Sequence, residues 1–148
     1  MEYHGVEERS ERLPSPSSLR LPAELRSASV ARAFVERELS GHVDDLPAVV
    51  LMTSELVTNG ALHANTAVTV TVREGPPVRV EVHDGAAATD AFRENVTAGR
   101  PIPNASAVRG RGLHLVWALA TRVGLDDDPD GGKVVWFEVD REAPASIR

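Results

Sequence analysis

Residues 67–83 read AVTVTVREGPPVRVEVH, and this stretch decides how the remainder of the chain can fold. Apolar and polar residues alternate on both sides of the EGPP turn, a period of two that predicts strands over residues 67–72 and 78–83 joined as a hairpin. A third run rich in Val and aromatic residues, VVWFEV at residues 134–139, predicts a further strand. Because the valines share one face and Thr, Arg and Glu share the other, only one face of this sheet needs to be covered.

Helical segments with apolar residues three and four apart supply that cover. The spacing predicts helices over about residues 31–39, 45–63 and 113–122, and a short strand at residues 19–21 precedes the first of them. Strands with one buried face, interleaved with three amphipathic helices, predict an α/β fold. The expected arrangement is a two-layer α/β sandwich, in which a mixed sheet carries its helices on one face.

A chain of this length predicts one domain, which we place over residues 19–140. Residues 1–18 mix charged residues, Ser and Pro without an apolar period, which predicts a disordered N-terminal arm, and residues 141–148 form a C-terminal tail. Residues 85–109 contain Gly, Ala, Pro, Asn and Ser with little period and predict a long loop, a kind of segment that is usually functional or disordered.

The composition argues against several classes of function. With 16 basic and 22 acidic residues, the 148-residue chain has a formal charge of -6, which gives no general attraction for the phosphates of DNA or RNA. No apolar run approaches the roughly 20 residues that span a bilayer, and the N-terminal residues are too polar for a secretory signal, so we expect a cytoplasmic protein without membrane contact. The absence of cysteine excludes disulfides and thiolate chemistry, and the histidines lack the spacing of a zinc site.

The helix predicted over residues 45–63 carries polar side chains on a face that is otherwise apolar. Glu55 and Asn59 lie four residues apart and therefore on the same side of the helix, where their apolar neighbours are Ala48, Leu51, Met52 and Leu62. A carboxylate and a carboxamide in this arrangement suit the wall of a cavity, because the amide oxygen can hold a hard cation and the carboxylate can orient a hydroxyl. The alternative is a solvated Glu–Asn pair on an exposed helix.

Four blocks of sequence, taken in order, resemble the histidine-kinase-like ATPase (GHKL) superfamily. They read SELVTNGALHA, VEVHDG, RGRGLHLV and GGKVVWFEV, at residues 54–64, 80–85, 109–116 and 131–139. Within the superfamily the chain is similar to the stand-alone anti-sigma regulatory factors of bacteria, which are serine protein kinases, and especially to their short actinobacterial relatives. The resemblance covers about residues 19–140 and implies the Bergerat-type ATP-binding fold.

Transferred position by position, the resemblance implies a site for ATP and Mg²⁺. Glu55 corresponds to the general base, Asn59 to the ligand of the Mg²⁺ that bridges the phosphates, and Asp84, followed by Gly85, to the acceptor for the adenine amino group. The residues that match the glycine block, where backbone N–H groups at the start of a helix face the triphosphate, are Arg109, Gly110, Arg111, Gly112 and Leu113.

The resemblance also assigns the long loop and the partners. The loop corresponds to the nucleotide lid, whose Arg100, Arg109 and Arg111 can add positive charge near the phosphates, although Arg100 fits an ordinary surface position equally well. Two protein partners are implied, a sigma factor held inactive and a STAS-type anti-anti-sigma protein that is phosphorylated on Ser or Thr. A homodimer through the sheet region is implied as well.

The chain departs from the family pattern at two places. The D-x-G-x-G motif reads Asp84-Gly85-Ala86-Ala87-Ala88, so alanines replace the later glycines. A threonine that supports the adenine contact in many relatives aligns with Val134 or Val135, so its hydroxyl is missing here. These departures keep open a non-catalytic binding module that retains the fold and has lost productive ATP use. An ATPase domain detached from a sensor kinase is a third possibility, less favoured because no phospho-acceptor helix precedes Leu19.

Overall fold

The computed structural model of the chain describes residues 16–98 and 107–140, without the side chains of residues 98 and 107–112. The helices are α1 (Ser27–Leu39), α2 (Leu46–Thr58), which runs on into a π-helical turn (Asn59–His63), α3 (Asp90–Ala98) and α4 (Ala107–Leu119). The strands are β1 (Ser17–Leu21), β2 (Val68–Arg73), β3 (Val78–Asp84), β4 (Arg122–Asp127) and β5 (Lys133–Val139). No helix in this part of the chain is long and apolar enough to cross a membrane.

The five strands form one sheet in the order β1-β2-β3-β5-β4. The predicted hairpin is confirmed, since Val70 of β2 lies opposite Val82 of β3 in an antiparallel register. Every neighbouring pair in the described sheet is antiparallel, so the expectation of a mixed sheet was wrong. The reason is that β5 turns back tightly after β4 and inserts between β3 and β4, which separates the two strands that run in the same direction.

The α/β sandwich is confirmed, with its core on the predicted face of the sheet. Alternate residues of β2, β3 and β5 point inward, while α1, α2 and α4 cover that face. The side chain of Asp45 caps α2, its Oδ1 accepting a hydrogen bond from the Ala48 N–H at 3.2 Å. Full burial of a valine contributes about 1.5–3 kcal/mol, so this repeated residue makes the inner face the main source of stability. The buried apolar residues of β2, β3 and β5 are Val68, Val70, Val72, Val78, Val80, Val82, Val135, Phe137 and Val139.

The segment predicted as a long loop contains a helix. At the start of α3 the Thr89 hydroxyl accepts a hydrogen bond from the Phe92 N–H at 3.0 Å, and Val96 is fully buried. A single polar cap and one or two anchoring apolar residues are enough to form this short helix, although its composition predicts a loop. The remainder of the segment, residues 99–106, lies outside the described residues, and α4 already begins at Ala107.

Two boundaries also differ from the expectation. Strand β1 begins at Ser17, so the described fold includes two residues that were assigned to the N-terminal arm. The third predicted helix ends at Leu119, and the residues after it form β4, a strand that the sequence pattern did not indicate. Strand β4 lies at the sheet edge with Val123 and Leu125 only partly buried, which explains its weak apolar signal. The rest of the predicted arm and the C-terminal tail lie outside the described residues.

Candidate functional site

A cavity of about 390 Å³ opens where β3 and β5 meet the end of α2 and the start of α3. Most of its wall is apolar, with a small number of polar groups, a composition typical of small-molecule sites. Its lining residues are Leu56, Asn59, His63, Ala64, Val82, Asp84, Ala86, Ala87, Thr89, Ala91, Phe92, Leu113, Lys133 and Val135. Three residues assigned to the site from the sequence, Asn59, Asp84 and Leu113, are therefore brought together.

Asp84 is buried at the end of β3 and forms an ion pair with Lys133 of β5. The Lys133 ammonium donates hydrogen bonds to Asp84 Oδ1 at 2.9 Å and to the Ala86 carbonyl oxygen at 3.0 Å. The Ala86 N–H donates to the same Oδ1 at 2.9 Å. All of the described hydrogen bonds to the Asp84 side chain thus reach Oδ1, and Oδ2 accepts none from the described residues.

Two glycines allow the backbone to approach Asp84 closely. At Gly132 the φ angle is +94°, and a Cβ atom there would lie 2.3 Å from the Asp84 carbonyl oxygen. At Gly60, in the π-helical turn, a Cβ atom would lie 3.4 Å from Asp84 Oδ2 and 2.5 Å from Val68 Cγ1. The position of Asp84 therefore depends on the absence of side chains at both neighbours.

Asn59 occupies the point where α2 changes to the wider π-helical turn. The Ala64 N–H donates to the Asn59 carbonyl oxygen at 2.9 Å, five residues back, whereas an α-helix bonds four residues back. The turn places Asn59, His63 and Ala64 on the cavity wall. The Asn59 carboxamide forms no hydrogen bond with the described residues, so its oxygen is available to a ligand or cation.

Glu55 lies one turn before Asn59 and is half-buried, but it is not part of the cavity wall. Its carboxylate accepts no hydrogen bond from the part of the chain that the structure describes. Of the apolar residues expected around it, Met52 is buried in the core, whereas Leu51 and Leu62 are each 41% exposed. The face that carries Glu55 is therefore more open to solvent than its apolar composition predicts.

The glycine block lies inside α4 rather than before it. Residues 109–112 occupy the first two turns of that helix, and their side chains are outside the description, as is all of Arg100. Leu113, the last residue of the block, is buried and lines the cavity. Gly85 is exposed, and its N–H donates to the Thr66 hydroxyl at 2.9 Å, which anchors the chain directly after Asp84.

The structure explains the two departures from the family motifs. Ala86 and Ala87 line the cavity, and Ala86 holds both Asp84 and Lys133 through its backbone. Val134 is on the outer side of β5, because side chains alternate along a strand, so a hydroxyl at that position would point away from the cavity. Val135 does line the cavity, and Lys133, two residues earlier, shares its face.

Lys133 is a residue of the site that the sequence motifs do not predict, although the sequence contains a signal for it. Lys133 is the only lysine in the sequence, and it falls in register with the inward-facing Val135 and Phe137. A lysine on the buried face of a strand requires an anionic or hydrogen-bonding partner, since an unpaired ammonium is rarely buried. In β3, Asp84 faces the same way as Val80 and Val82. The sequence therefore offers Asp84 as the anionic partner of Lys133.

The cavity suits a planar heterocycle better than a metal ion alone. Apolar side chains line its walls, and the Asp84–Lys133 pair presents an acceptor and a donor side by side. The described residues contain no group of three or more His, Asp or Glu that could hold a metal ion. A cation near Asn59 would consequently need further ligands from a bound molecule, as Mg²⁺ does when it binds with phosphates.

Comparison with known proteins supports this interpretation of the site. Residues 21–138, most of the chain, match the family model of the histidine kinase-like ATPase domain. No curated protein is similar enough to match the chain. A domain of this family implies ATP binding, in agreement with a cavity that unites Asn59, Asp84 and Leu113. The chain belongs to the histidine kinase-like ATPase domain family.

Proposed function

We propose that this protein is an anti-sigma-factor-like regulator that uses Mg-ATP to phosphorylate Ser or Thr of an antagonist protein. The observation that carries the proposal is the shared cavity of Asn59 and Asp84, whose carboxamide and second carboxylate oxygen have no hydrogen-bond partner among the described residues. Its volume of about 390 Å³ is in the range of small-molecule sites.

In this proposal the adenine ring enters the apolar part of the cavity and its amino group donates to Asp84. Bound Mg-ATP supplies the phosphoryl group and the positive charge that offsets the phosphates. The Asn59 oxygen is one ligand of the Mg²⁺, which fits a carboxamide without a partner among the described residues. Backbone N–H groups in the first turn of α4, which contains Arg109 and Gly110 of the glycine block, complete the phosphate site in this proposal.

Glu55 is the proposed general base. Its carboxylate accepts the proton of a partner's hydroxyl as the hydroxyl oxygen bonds to the γ-phosphorus and the bond to the ADP leaving group breaks. A half-buried position one helical turn before Asn59, which lines the cavity, is compatible with this role, because the hydroxyl arrives from a second protein. Positioning and charge stabilisation dominate phosphoryl transfer. The main requirement for Glu55 is therefore that its carboxylate can reach the hydroxyl of the partner.

The proposed partners follow from the same resemblance. They are a sigma factor, which is sequestered, and a STAS-type anti-anti-sigma protein, which is phosphorylated in the cytoplasm. A homodimer through the sheet region belongs to the proposal as well, and DNA and RNA do not, since the formal charge is -6.

Two substitutions separate the roles of the site residues. Glu55→Gln is expected to lower the rate of transfer by at least about 100-fold with little change in ATP affinity, because general base catalysis contributes roughly that much. Asn59→Ala is expected to weaken the binding of Mg-ATP itself. Calorimetric titration and phosphorylation of a candidate antagonist measure both effects, with Glu36→Gln on the exposed side of α1 as a control. Wild-type transfer by both variants contradicts the proposal.

A second candidate is a binding module of the same fold that does not use ATP. The observation in its favour is that Asp84 already has an internal partner, Lys133, at one of its two oxygens. Titration of the purified protein with ATP, with and without Mg²⁺, distinguishes the candidates. Tight, metal-dependent binding supports the enzyme, and no binding supports the module.

A further inference from the structure

Lys133 is held at the cavity by three different contacts. Its ammonium donates to Asp84 Oδ1 at 2.9 Å and to the Ala86 carbonyl at 3.0 Å, and it lies 5.0 Å from the centre of the Phe92 ring. The Lys133 side chain is 8% exposed and that of Asp84 is 5% exposed. An ammonium group has three N–H donors, so one donor has no acceptor among the described residues.

We propose that Lys133 is a base-recognition residue, whose third N–H donates a hydrogen bond to a ring nitrogen of the purine that Asp84 binds. This inference rests on the proposed ATP site and adds to it a residue that determines specificity. Adenine carries an amino donor and an acceptor, N1, next to each other on one edge. Asp84 Oδ2 and the Lys133 ammonium are an acceptor and a donor next to each other on one wall, and the two patterns are complementary.

The arrangement of Lys133 favours binding over a purely structural role. Two of its donors are fixed by Asp84 and Ala86, so the side chain loses little further freedom when a ligand arrives. The alternative contact of the third donor, with the Phe92 ring, is weaker than a hydrogen bond between an ammonium and a ring nitrogen. Neither neighbour in β5 can substitute for it, since Val134 points to the outer face and Val135 has no polar atom.

All the other basic side chains in the sequence, apart from histidine, are arginines. A guanidinium is planar and has five donors in a fixed fork, whereas an ammonium is compact and its donors can rotate. The Lys133 ammonium contacts Asp84, Ala86 and the Phe92 ring from one point. A compact ammonium at this one position therefore fits the proposed hydrogen bond of its third donor.

A comparison of two nucleotides on the wild-type protein tests the proposal. In 1-deaza-ATP a C–H group replaces N1, while the amino group and the triphosphate are unchanged. Calorimetric titration is expected to show at least about tenfold weaker binding of 1-deaza-ATP, the ratio that corresponds to about 1.4 kcal/mol. With Lys133→Met, ATP is expected to bind as weakly as 1-deaza-ATP, and the preference between the two is expected to disappear.

The single lysine permits a second measurement that requires no variant. Protein labelled with ¹⁵N-lysine has one lysine ammonium signal by NMR, and ATP is expected to shift that signal far more than 1-deaza-ATP does. This measurement holds even where Lys133→Met fails to fold because Asp84 is left buried without its partner.

The outcomes separate this inference from the function on which it rests. Equal affinity for the two nucleotides, or equal shifts of the ammonium signal, overturns the role of Lys133 and leaves ATP binding intact. Tighter binding of ATP by Lys133→Met also overturns it, because Lys133 would then compete with the base for Asp84. A wild-type protein that binds neither nucleotide overturns the proposed function and, with it, this inference.

Discussion

Gly60 lies where the π-helical turn packs closely against β2 and β3. A Cβ atom at this position would lie 2.5 Å from Val68 Cγ1 and 3.3 Å from Asp84 Cβ, and Gly60 itself is buried. We expect Gly60→Ala to lower the free energy of unfolding by about 1–3 kcal/mol, because overpacking forces neighbouring side chains out of place. Because Asp84 is one of the two contacts, ATP affinity is expected to fall as well. Urea denaturation and calorimetry measure the two effects.

Gly85→Ala is the matched control for that prediction. A Cβ atom at Gly85 would meet only Thr66, at an ordinary contact distance of 3.6 Å, and Gly85 is exposed. The free energy of unfolding of the Gly85→Ala variant is expected to stay within about 0.5 kcal/mol of wild type, as for most surface substitutions. If both variants unfold alike, the close approach of Gly60 to β2 and β3 does not limit stability.

At the scale of single residues, the sequence predicts which side chains line the cavity better than it predicts which side chains contact each other. The family motifs predict Asn59 and Asp84, and both line the cavity. The motifs contain no information on the partner of Asp84, which is Lys133, 49 residues away. Only strand register predicts that pair, because it depends on which residues of β3 and β5 face inward and lie opposite each other.

At the scale of elements, the strongly periodic segments were predictable and the weakly periodic ones were not. The sequences of strands β2 and β3 alternate strictly and that of β5 is rich in Val and aromatic residues, and the structure places all three in one sheet. Strand β4 reads RVGLDD, and its partly buried edge position needs few apolar residues. The π-helical turn after α2 has the same apolar spacing as an α-helix, so periodicity cannot distinguish the two over five residues.

Where β4 pairs with β5, Gly124 lies against the indole ring of Trp136. A Cβ atom at Gly124 would lie 2.1 Å from Cζ2 of Trp136, the residue opposite it in the register. On its other side Trp136 is covered by Arg79, whose guanidinium carbon lies 4.0 Å from the ring centre. We expect Gly124→Ala to cost about 1–3 kcal/mol of stability, because the indole must move away from β4 and from Arg79.

A double-mutant cycle with Trp136→Val tests the cause of that loss. Without the indole, the methyl group that Gly124→Ala introduces has room. In the Trp136→Val background, Gly124→Ala is therefore expected to cost much less stability than in the wild type. We expect a coupling of at least about 1 kcal/mol, within the range measured for residues in contact. Additive effects in urea denaturation would show that Gly124 acts through its own backbone and not through Trp136.

At the scale of the whole molecule, no helix of the described residues covers the second face of the sheet, and charged pairs occupy that face. Glu138 in β5 binds two arginines: Arg122 Nε donates to Oε1 at 2.7 Å, and Arg79 Nη1 donates to Oε2 at 3.0 Å. Arg79 also donates through Nε to Glu81 Oε2 at 2.8 Å. These pairs join β3, β4 and β5 across a face that the apolar core does not support.

The same pairs make stability depend on pH in the acidic range. The hydrogen bond from Arg122, with further help from Arg79, holds the pKa of Glu138 below its ordinary value. The Asp130 N–H, followed by His83, likewise lowers the pKa of Asp128. A carboxylate whose pKa is lower in the folded state stabilises the fold fully above its unfolded pKa, about 4.3 for glutamate, and loses this effect as the pH falls through the folded pKa.

We therefore expect Glu138→Gln to destabilise the protein by about 1 kcal/mol at neutral pH, a modest loss because the pairs are partly exposed. The difference from wild type is expected to shrink as the pH falls below about 4.3, where protonation removes the charge of Glu138 from the wild type too. Urea denaturation at a series of pH values measures both curves, with Glu94→Gln on α3 as an exposed control without a described hydrogen bond. A constant difference across the acidic range would mean that Glu138 stabilises the sheet by packing and hydrogen bonding alone, without its charge.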